Sequence, residues 1–551
     1  MLAPQLPAQA AEYNRIAISY LQHPPDPKLS ALAVTWYRRS LEVEPNCIAT
    51  YMGLAKAHHQ IGQLAQAQDC SNKAAAIDPE SLLPDFYRCM LQLPIVYRQP
   101  EEVLYSRQQY EQQLITLSEK LVQARRSSVA ALADTVGYMT PFYLAYQSGD
   151  DLELMRLYGQ IVTQIMAARY PQWAQELPIV SPQPDEAIRV GIVSGNFYRH
   201  SVWKAIVKGW IARLDREKFH LIGYALNKTQ DEETEFARSC LSKLVTGSHK
   251  TEEWGQLIQA DRPHILLYPE VSMNSKSIQL SALRLAPVQA TTWATYVTSG
   301  LPTIDYFLTG ALIEPKRAEE QYLEKLVQLP NLGMYYTPLQ ETLASEQRND
   351  FGLRPSAIVY FCAQSLFKYL PQYDWLYPHI ARLVGDCQFI FMKHKTSEAQ
   401  TKILSKRLQN AFAAEGLDLE QYVVMQPAVS NAGYHRLNDL ADIFLDSIGV
   451  AGTNTTLEAI AHNLPIVTLT GEFLRGRVST GILQHMGVSE TIASSPEDYV
   501  AIAIRLGQDA AFREQVRARM AANKHKIYAD TACIEGLEDF LEHAVRGENR
   551  L

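Results

Sequence analysis

The 551-residue sequence has no apolar run near the ~20 residues that a membrane helix needs. It has no Lys/Arg-rich block either: 51 basic residues stand against 59 acidic ones, a net charge of -8. General nucleic-acid binding is thereby disfavoured, and any anionic ligand must be bound by local features. The seven cysteines are odd in number, scattered and without a C-x-x-C spacing. That pattern argues against a disulfide framework or a zinc site and for a reducing compartment. There is no G-x-x-x-x-G-K-[ST] phosphate loop, which disfavours NTP hydrolysis. No Asp-x-Asp pair follows an expected strand, and no His/Cys/carboxylate cluster has metal-ligand spacing. The first thirty residues lack the basic-then-apolar pattern of a secretory leader, so a cytoplasmic location is expected. With 47% hydrophobic and 20% charged residues, the chain reads as three or four globular domains with ample core.

What is present begins with a repeat. LEVEPN (Leu41–Asn46) and AAIDPE (Ala75–Glu80) place Pro45 and Pro79 34 residues apart, the tetratricopeptide period. Tyr51, Leu54 and Ala55 fill the large and small slots of that repeat, and Ala67 and Ala74 the positions where paired helices touch. Helical periodicity continues through Val103–Ala124 and Leu152–Ala168. An all-α domain over 1–175 is expected, whose stacked helix pairs hold a peptide or protein partner. The proline-rich stretch 171–187 reads as a linker.

From Ile188 short β-branched runs alternate with helical stretches. IRVGIVSG, FHLIGYAL and HILLYP form one series, and IVYFC, FIFMKH, YVVMQ, IFLD and IVTL a second. Such alternation predicts two α/β lobes with parallel sheets, at 187–340 and 352–515. C-terminal helices over 516–551 would return onto them. Ligands on such sheets sit at the carboxyl ends of strands.

The organising stretch is ADIFLDSIGVAGTNTTLEAIAHNLPIVTLTG (Ala441–Gly471). Its turn Gly452-Thr453-Asn454-Thr455-Thr456 lies between a strand and a helix start, where free amides and the positive end of the helix dipole bind phosphate. The alternative is a plain N-cap, for which one such residue would suffice. Glu458 follows, placed for a ribose hydroxyl. The loop AQSLFKYLP after IVYFC brings Gln364 and Lys368 to the same edge, and a lysine there reads as a diphosphate clamp. His200, in NFYRHS after the first strand, is either a surface residue or a member of the site. His264, opening a strand, is either a buried hydrogen-bonded histidine or a second such member. Thr298-Ser299-Gly300 could cap a helix or line a sugar pocket.

Taken together, IRVGIVSGNFYRHSV, RPHILLYPE, RLAPVQATTW…TSGLPTIDYFLTG, QSLFK and LADIFLDSIG…NTTLEAIAHNLPIVTLTGEFLRGR resemble the O-linked N-acetylglucosamine transferase / SPINDLY family, its bacterial branch above all. The resemblance covers about 185–545. It implies a GT-B fold and a metal-independent, inverting transfer of a sugar, usually from UDP-GlcNAc, onto Ser or Thr of proteins. It needs no cofactor beyond the donor. By the same resemblance Lys368 neutralises the diphosphate, with Gln364 or Ser365 as its polar neighbour. Asn454, Thr455 and Thr456 lie at the phosphate turn, Glu458 at the ribose, Val429 and Asn431 at the base, and His200 and His264 near the reacting centre. Three departures stand out. WATYVTSG (Trp293–Gly300) lacks the His-Pro or Tyr-Pro of relatives, Asn431 stands where they carry a base-contacting lysine, and Asn196 where they often carry Asp. Protein N-glucosylation, O-fucosylation or a catalytically degenerate repeat scaffold are the alternative expectations.

Overall fold

A computed structural model describes residues 7–21, 27–179, 181–183, 186–338, 343–395 and 397–546. The last residues of the expected first-lobe and C-terminal spans, 339–340 and 547–551, and residues 180, 184 and 185 of the expected linker lie outside them.

The front of the chain is helical. Pro27–Val43, Ile48–Gln60 and Leu64–Ile77 pack as hairpins whose contacts are made by fully buried Ala33, Ala55, Ala67 and Ala74, small enough for close backbone approach. The long helix Pro100–Gln123 starts with proline at its first position and Glu101 and Glu102 in its first turn, both favourable at the positive end of the dipole. Helix Leu152–Arg169 closes this part by packing on the first lobe. There Gly159 and Gly300 (φ +72°) approach so closely that a β-carbon on either would collide with backbone. Thr298 and Ser299 cap no helix, and Thr298 borders a small opening shared with Asp151, Tyr296 and Arg475. Both are buried, their hydroxyls donating to the carboxylate of Glu324, which also accepts from the Ser299 amide at 2.7 Å.

The expected linker is not a free tether in its first turn. Trp173 is buried against Gly255, its indole N–H donates to Gln259 at 2.7 Å, and its carbonyl accepts from the Arg284 amide. An indole that size gains more from burial than a tether gains from freedom, on the order of 2 kcal/mol or more.

The first lobe has seven strands: β1 Ile188–Ser194, β2 Phe219–Ala225, β3 Lys243–Thr246, β4 Ile265–Tyr268, β5 Val288–Thr292, β6 Tyr306–Gly310 and β7 Lys325–Leu329. Their order is β3-β2-β1-β4-β5-β6-β7. The second lobe has six: β8 Ile358–Cys362, β9 Cys387–Met392, β10 Val423–Gln426, β11 Ile443–Leu445, β12 Ile466–Leu469 and β13 Ile492–Ala493, in the order β10-β9-β8-β11-β12-β13. Every pairing is parallel. The central strands are buried on both faces, which is why they read as unbroken apolar runs and not as alternation. In each sheet the winding reverses between two strands, β1 and β4 or β8 and β11, and the crevice outside their carboxyl ends is where such folds bind ligands.

Helix Ala532–Arg546 crosses back to the first lobe. Phe540 meets Tyr306 edge to face, Glu538 accepts from the Asp215 amide, and Glu542 pairs with Lys218. Among the described residues no helix is long and apolar enough to cross a membrane, and all seven cysteines are free thiols.

Candidate active site

β8 ends at Cys362 and hands the chain to Gln364 and the short turn Leu366–Lys368. Its neighbour β11 ends at Leu445 and runs through Asp446–Thr453 into helix Asn454–Ala461. The two loops are tied together side chain by side chain. Gln364 Nε2 donates to Asp446 Oδ1 at 3.1 Å and to Thr455 Oγ1 at 2.8 Å. Lys368 Nζ donates to the carbonyl of Ala451 at 2.8 Å. Asp446 also accepts from the amides of Ser447 and Gly452 and from Thr468 Oγ1. Burial pushes its carboxyl above the ordinary range, opposed by these donors and by the Lys368 charge. Gly452 leaves the turn open: a β-carbon there would collide with the Gln364 amide and the hydroxyls of Thr455 and Thr456.

No side chain caps the helix that follows. Thr453 turns its hydroxyl to Tyr296, Thr455 to Gln364, and Thr456 to Ser479. The simple capping explanation for this threonine-rich turn is thus absent, and the first-turn amides keep their dipole. Asn454 Nδ2 donates to Glu458 Oε1 at 2.6 Å, while its Oδ1 is buried without a partner. Ser365 is exposed at the loop's rim. Val429, half-buried, and Asn431, exposed, follow the carboxyl end of β10 on the same edge of the sheet.

From the first lobe, His200 follows β1. Its Nδ1 accepts from the Val202 amide at 3.2 Å, which leaves the proton on Nε2, and burial pulls its pKa down to about 4. It is therefore a neutral imidazole that offers an N–H. One turn on, the Lys204 amide donates to the His200 carbonyl, and Lys204 Nζ lies 4.0 Å from Glu458 across the crevice. Tyr296 holds a left-handed φ of +62°, costly for a bulky residue, and sets its ring 5.8 Å from Lys368 Nζ.

His264 does not belong here. It precedes β4 and so stands at the amino edge of a parallel sheet, the edge away from the crevice. Its backbone amide donates to Arg189, and both ring nitrogens meet the same residue, Nδ1 accepting from the Arg189 amide at 3.0 Å. Its part is to join the starts of β1 and β4. What does close that switch point at the carboxyl edge is Glu270, fully buried, accepting from Ser194 Oγ and the Gly195 amide, with burial raising its pKa to about 8.

The helical front reaches this site too. Tyr146 and Tyr143 pack edge-on against Phe367, the residue before Lys368, with ring centres 4.5 and 5.5 Å away, and with Val450 in the turn. Asp151 lies between Arg107 (2.6 Å) and the buried Arg475 of the second lobe (3.3 Å). Sequence reasoning missed Lys204, Tyr296, Asp446 and Arg475. Only Asp446 carried a visible signal, as a carboxylate ending an apolar strand beside the turn. Among the described residues no group of three or more His, Cys, Asp or Glu side chains is placed to hold a metal ion.

Two wound parallel sheets, with their switch points turned to a shared crevice, define the GT-B class of glycosyltransferase fold. The sequence profile of glycosyl transferase family 41 matches residues 163–337 and 336–529, and the chain belongs to that family. It is 27% identical over 335 residues to a probable UDP-N-acetylglucosamine–peptide N-acetylglucosaminyltransferase SPINDLY of Solanum lycopersicum, covering 60% of this chain and 35% of that protein. It is 25% identical over 342 residues to the Arabidopsis thaliana protein of the same description, covering 61% and 36%. The matched region thus spans about a third of these relatives' length. In structure it is similar to a Thermobaculum terrenum O-GlcNAc transferase mutant, at a TM-score of 0.71 and 19% identity, over 98% of this chain and 99% of that one.

Proposed function

We propose that the protein is an inverting glycosyltransferase of the cytoplasm, moving GlcNAc from UDP-GlcNAc onto Ser or Thr hydroxyls of proteins without a metal ion. The observation that carries this reading is the amine of Lys368, 2.8 Å from the Ala451 carbonyl in a turn that opens onto an uncapped helix start. A diphosphate laid on that turn meets amides, a helix dipole and an ammonium together. Family membership and the similarity to SPINDLY proteins, probable UDP-N-acetylglucosamine–peptide N-acetylglucosaminyltransferases, support the donor and the acceptor class.

In this reading the acceptor hydroxyl oxygen attacks the anomeric carbon as the bond to the diphosphate oxygen breaks, and the hydroxyl's proton is released to water. The charge that develops on the leaving group falls to Lys368 and the turn, preorganised by Asp446 and Gln364. Thr455 and Thr456 line the phosphates, Glu458 takes ribose hydroxyls, and Val429 and Asn431 flank the base. His200 offers Nε2–H to an oxygen near the reacting centre, as an orienting donor. The helical front holds the protein acceptor.

Incubation of the purified chain with UDP-GlcNAc, UDP-glucose and GDP-fucose, with and without EDTA, tests it. Release of UDP from UDP-GlcNAc and a HexNAc mass shift on Ser or Thr of co-incubated proteins, both surviving EDTA, is the expected result. Turnover of another donor only, modification of Asn, loss with EDTA or no turnover at all would each overturn the corresponding part.

A further inference from the structure

The helix after β1 carries two lysines, and they face different ways. Lys208 pairs with Glu233 of its own lobe at 2.7 Å, and Glu233 in turn takes the indole N–H of the fully buried Trp203. That anchor fixes the helix while a π-turn over Trp203–Val207 re-aims the residue beside it. Such bulges recur where a side chain is presented to a ligand. Lys204, in this turn, extends its ammonium to the opposite lobe and stops 4.0 Å from Glu458. Both side chains are about nine-tenths buried, with exposures of 12% and 10%. A separation of 4.0 Å is the outer limit of an ion pair and beyond hydrogen-bonding distance. Glu458 is the fifth residue of the helix Asn454–Ala461, one turn on from Asn454, whose Nδ2 donates to its carboxylate and whose Oδ1 is a buried acceptor without a partner.

We infer that Lys204 is a second cation for the donor's diphosphate, delivered from the first lobe, and that nucleotide and Lys204 share Glu458. This rests on the reading of the site as a nucleotide-sugar crevice. Ribose hydroxyls donating to Glu458 take over the carboxylate, and the ammonium, held between that carboxylate and the helix start, meets the β-phosphate. Lys368 and Lys204 then grip the leaving group from the two lobes, so the lobes are drawn together only by a ligand that carries a diphosphate.

Calorimetry on the wild-type chain, Lys204→Met and Lys204→Arg tests this. The nucleotide is whichever of UDP, GDP and dTDP the wild type binds, compared with its own nucleoside. In Lys204→Met the diphosphate should bind about tenfold or more weakly. Nucleoside affinity should stay within about threefold, which also shows that the variant is folded, and Lys204→Arg should keep most of the diphosphate affinity. An unchanged diphosphate affinity in Lys204→Met, or an equal fall for nucleotide and nucleoside, overturns the inference and leaves Lys204 a mere support for Glu458. Failure of the wild-type chain to bind any of the three diphosphates would remove the underlying reading, and this one with it.

Discussion

The hydroxyl of Tyr296, in the first lobe, lies 3.2 Å from that of Thr453, the residue just before helix Asn454–Ala461 of the second. One side chain thus bridges the crevice. Because Thr453 spends its hydroxyl on Tyr296, it does not cap the helix. Replacing Tyr296 by Phe should free Thr453 to cap, and a capped helix start competes with an anion for the same amides. We expect donor affinity to fall by several-fold with thermal stability unchanged or slightly raised. Calorimetry beside a melting curve reads both, and tighter donor binding in the variant would refute the competition.

Lys368→Ala should abolish transfer and leave the fold intact. In the proposed mechanism the amine neutralises leaving-group charge, and one such preorganised donor is worth on the order of 100- to 1000-fold in kcat. Steady-state rates on a variant of unchanged circular dichroism decide it. Turnover like that of the wild type removes Lys368 from the mechanism.

Gly452→Ala puts a methyl group where Gln364, Thr455 and Thr456 converge. The turn must spread, so donor Kd should rise by about tenfold or more while Tm drops only modestly. A large stability loss with normal donor binding would mean that the turn serves packing alone.

His264→Ala should behave oppositely. The imidazole lies between the starts of β1 and β4, its Nδ1 accepting from the Arg189 amide, so its loss leaves that strand amide short of an acceptor, at a cost of about 1–3 kcal/mol. The kcat of the folded variant should stay within about twofold. A selective loss of kcat with an unchanged melting temperature would return His264 to the chemistry.

Glu270 gives a pH signature. Its carboxyl holds its proton up to about pH 8 in the folded chain and to about 4.5 in the unfolded one. Between those values the native state binds more protons, so this group's contribution falls as pH rises through that window. Glu270→Gln should therefore flatten the decline in Tm between pH 6 and 8. A decline as steep as in the wild type would show that Glu270 is ionised in the native state.

The central strands were legible because a parallel sheet covered on both faces needs unbroken apolar runs ending in Gly or Ser turns. β3 and β7 escaped for the opposite reason: as edge strands they carry Lys243 and Lys325 and are only partly buried, so nothing separates them from loop in one dimension. The turn around Thr455 and its partners Gln364 and Lys368 were readable because all three follow strands of one lobe. Strand direction was also enough to place His264 at the wrong edge, since a residue that precedes a parallel strand cannot reach the end where the strand stops. Lys204 and Tyr296 carried no such signal. Their significance comes from the opposite lobe, and neither a π-turn nor a left-handed tyrosine is written in local composition.

The helical front touches both halves of the crevice, by Gly159 against Gly300 on one side and Asp151 against Arg475 on the other. It therefore acts as a strut and not as a tethered bead. On the second-lobe side the joint is an ion pair backed by the edge-on packing of Tyr143 and Tyr146 against Phe367, on the first-lobe side a pair of interlocked glycines. Any swing of the lobes must therefore break packing on one of these faces, and a chain cradled by the repeats would be held at a fixed bearing to both.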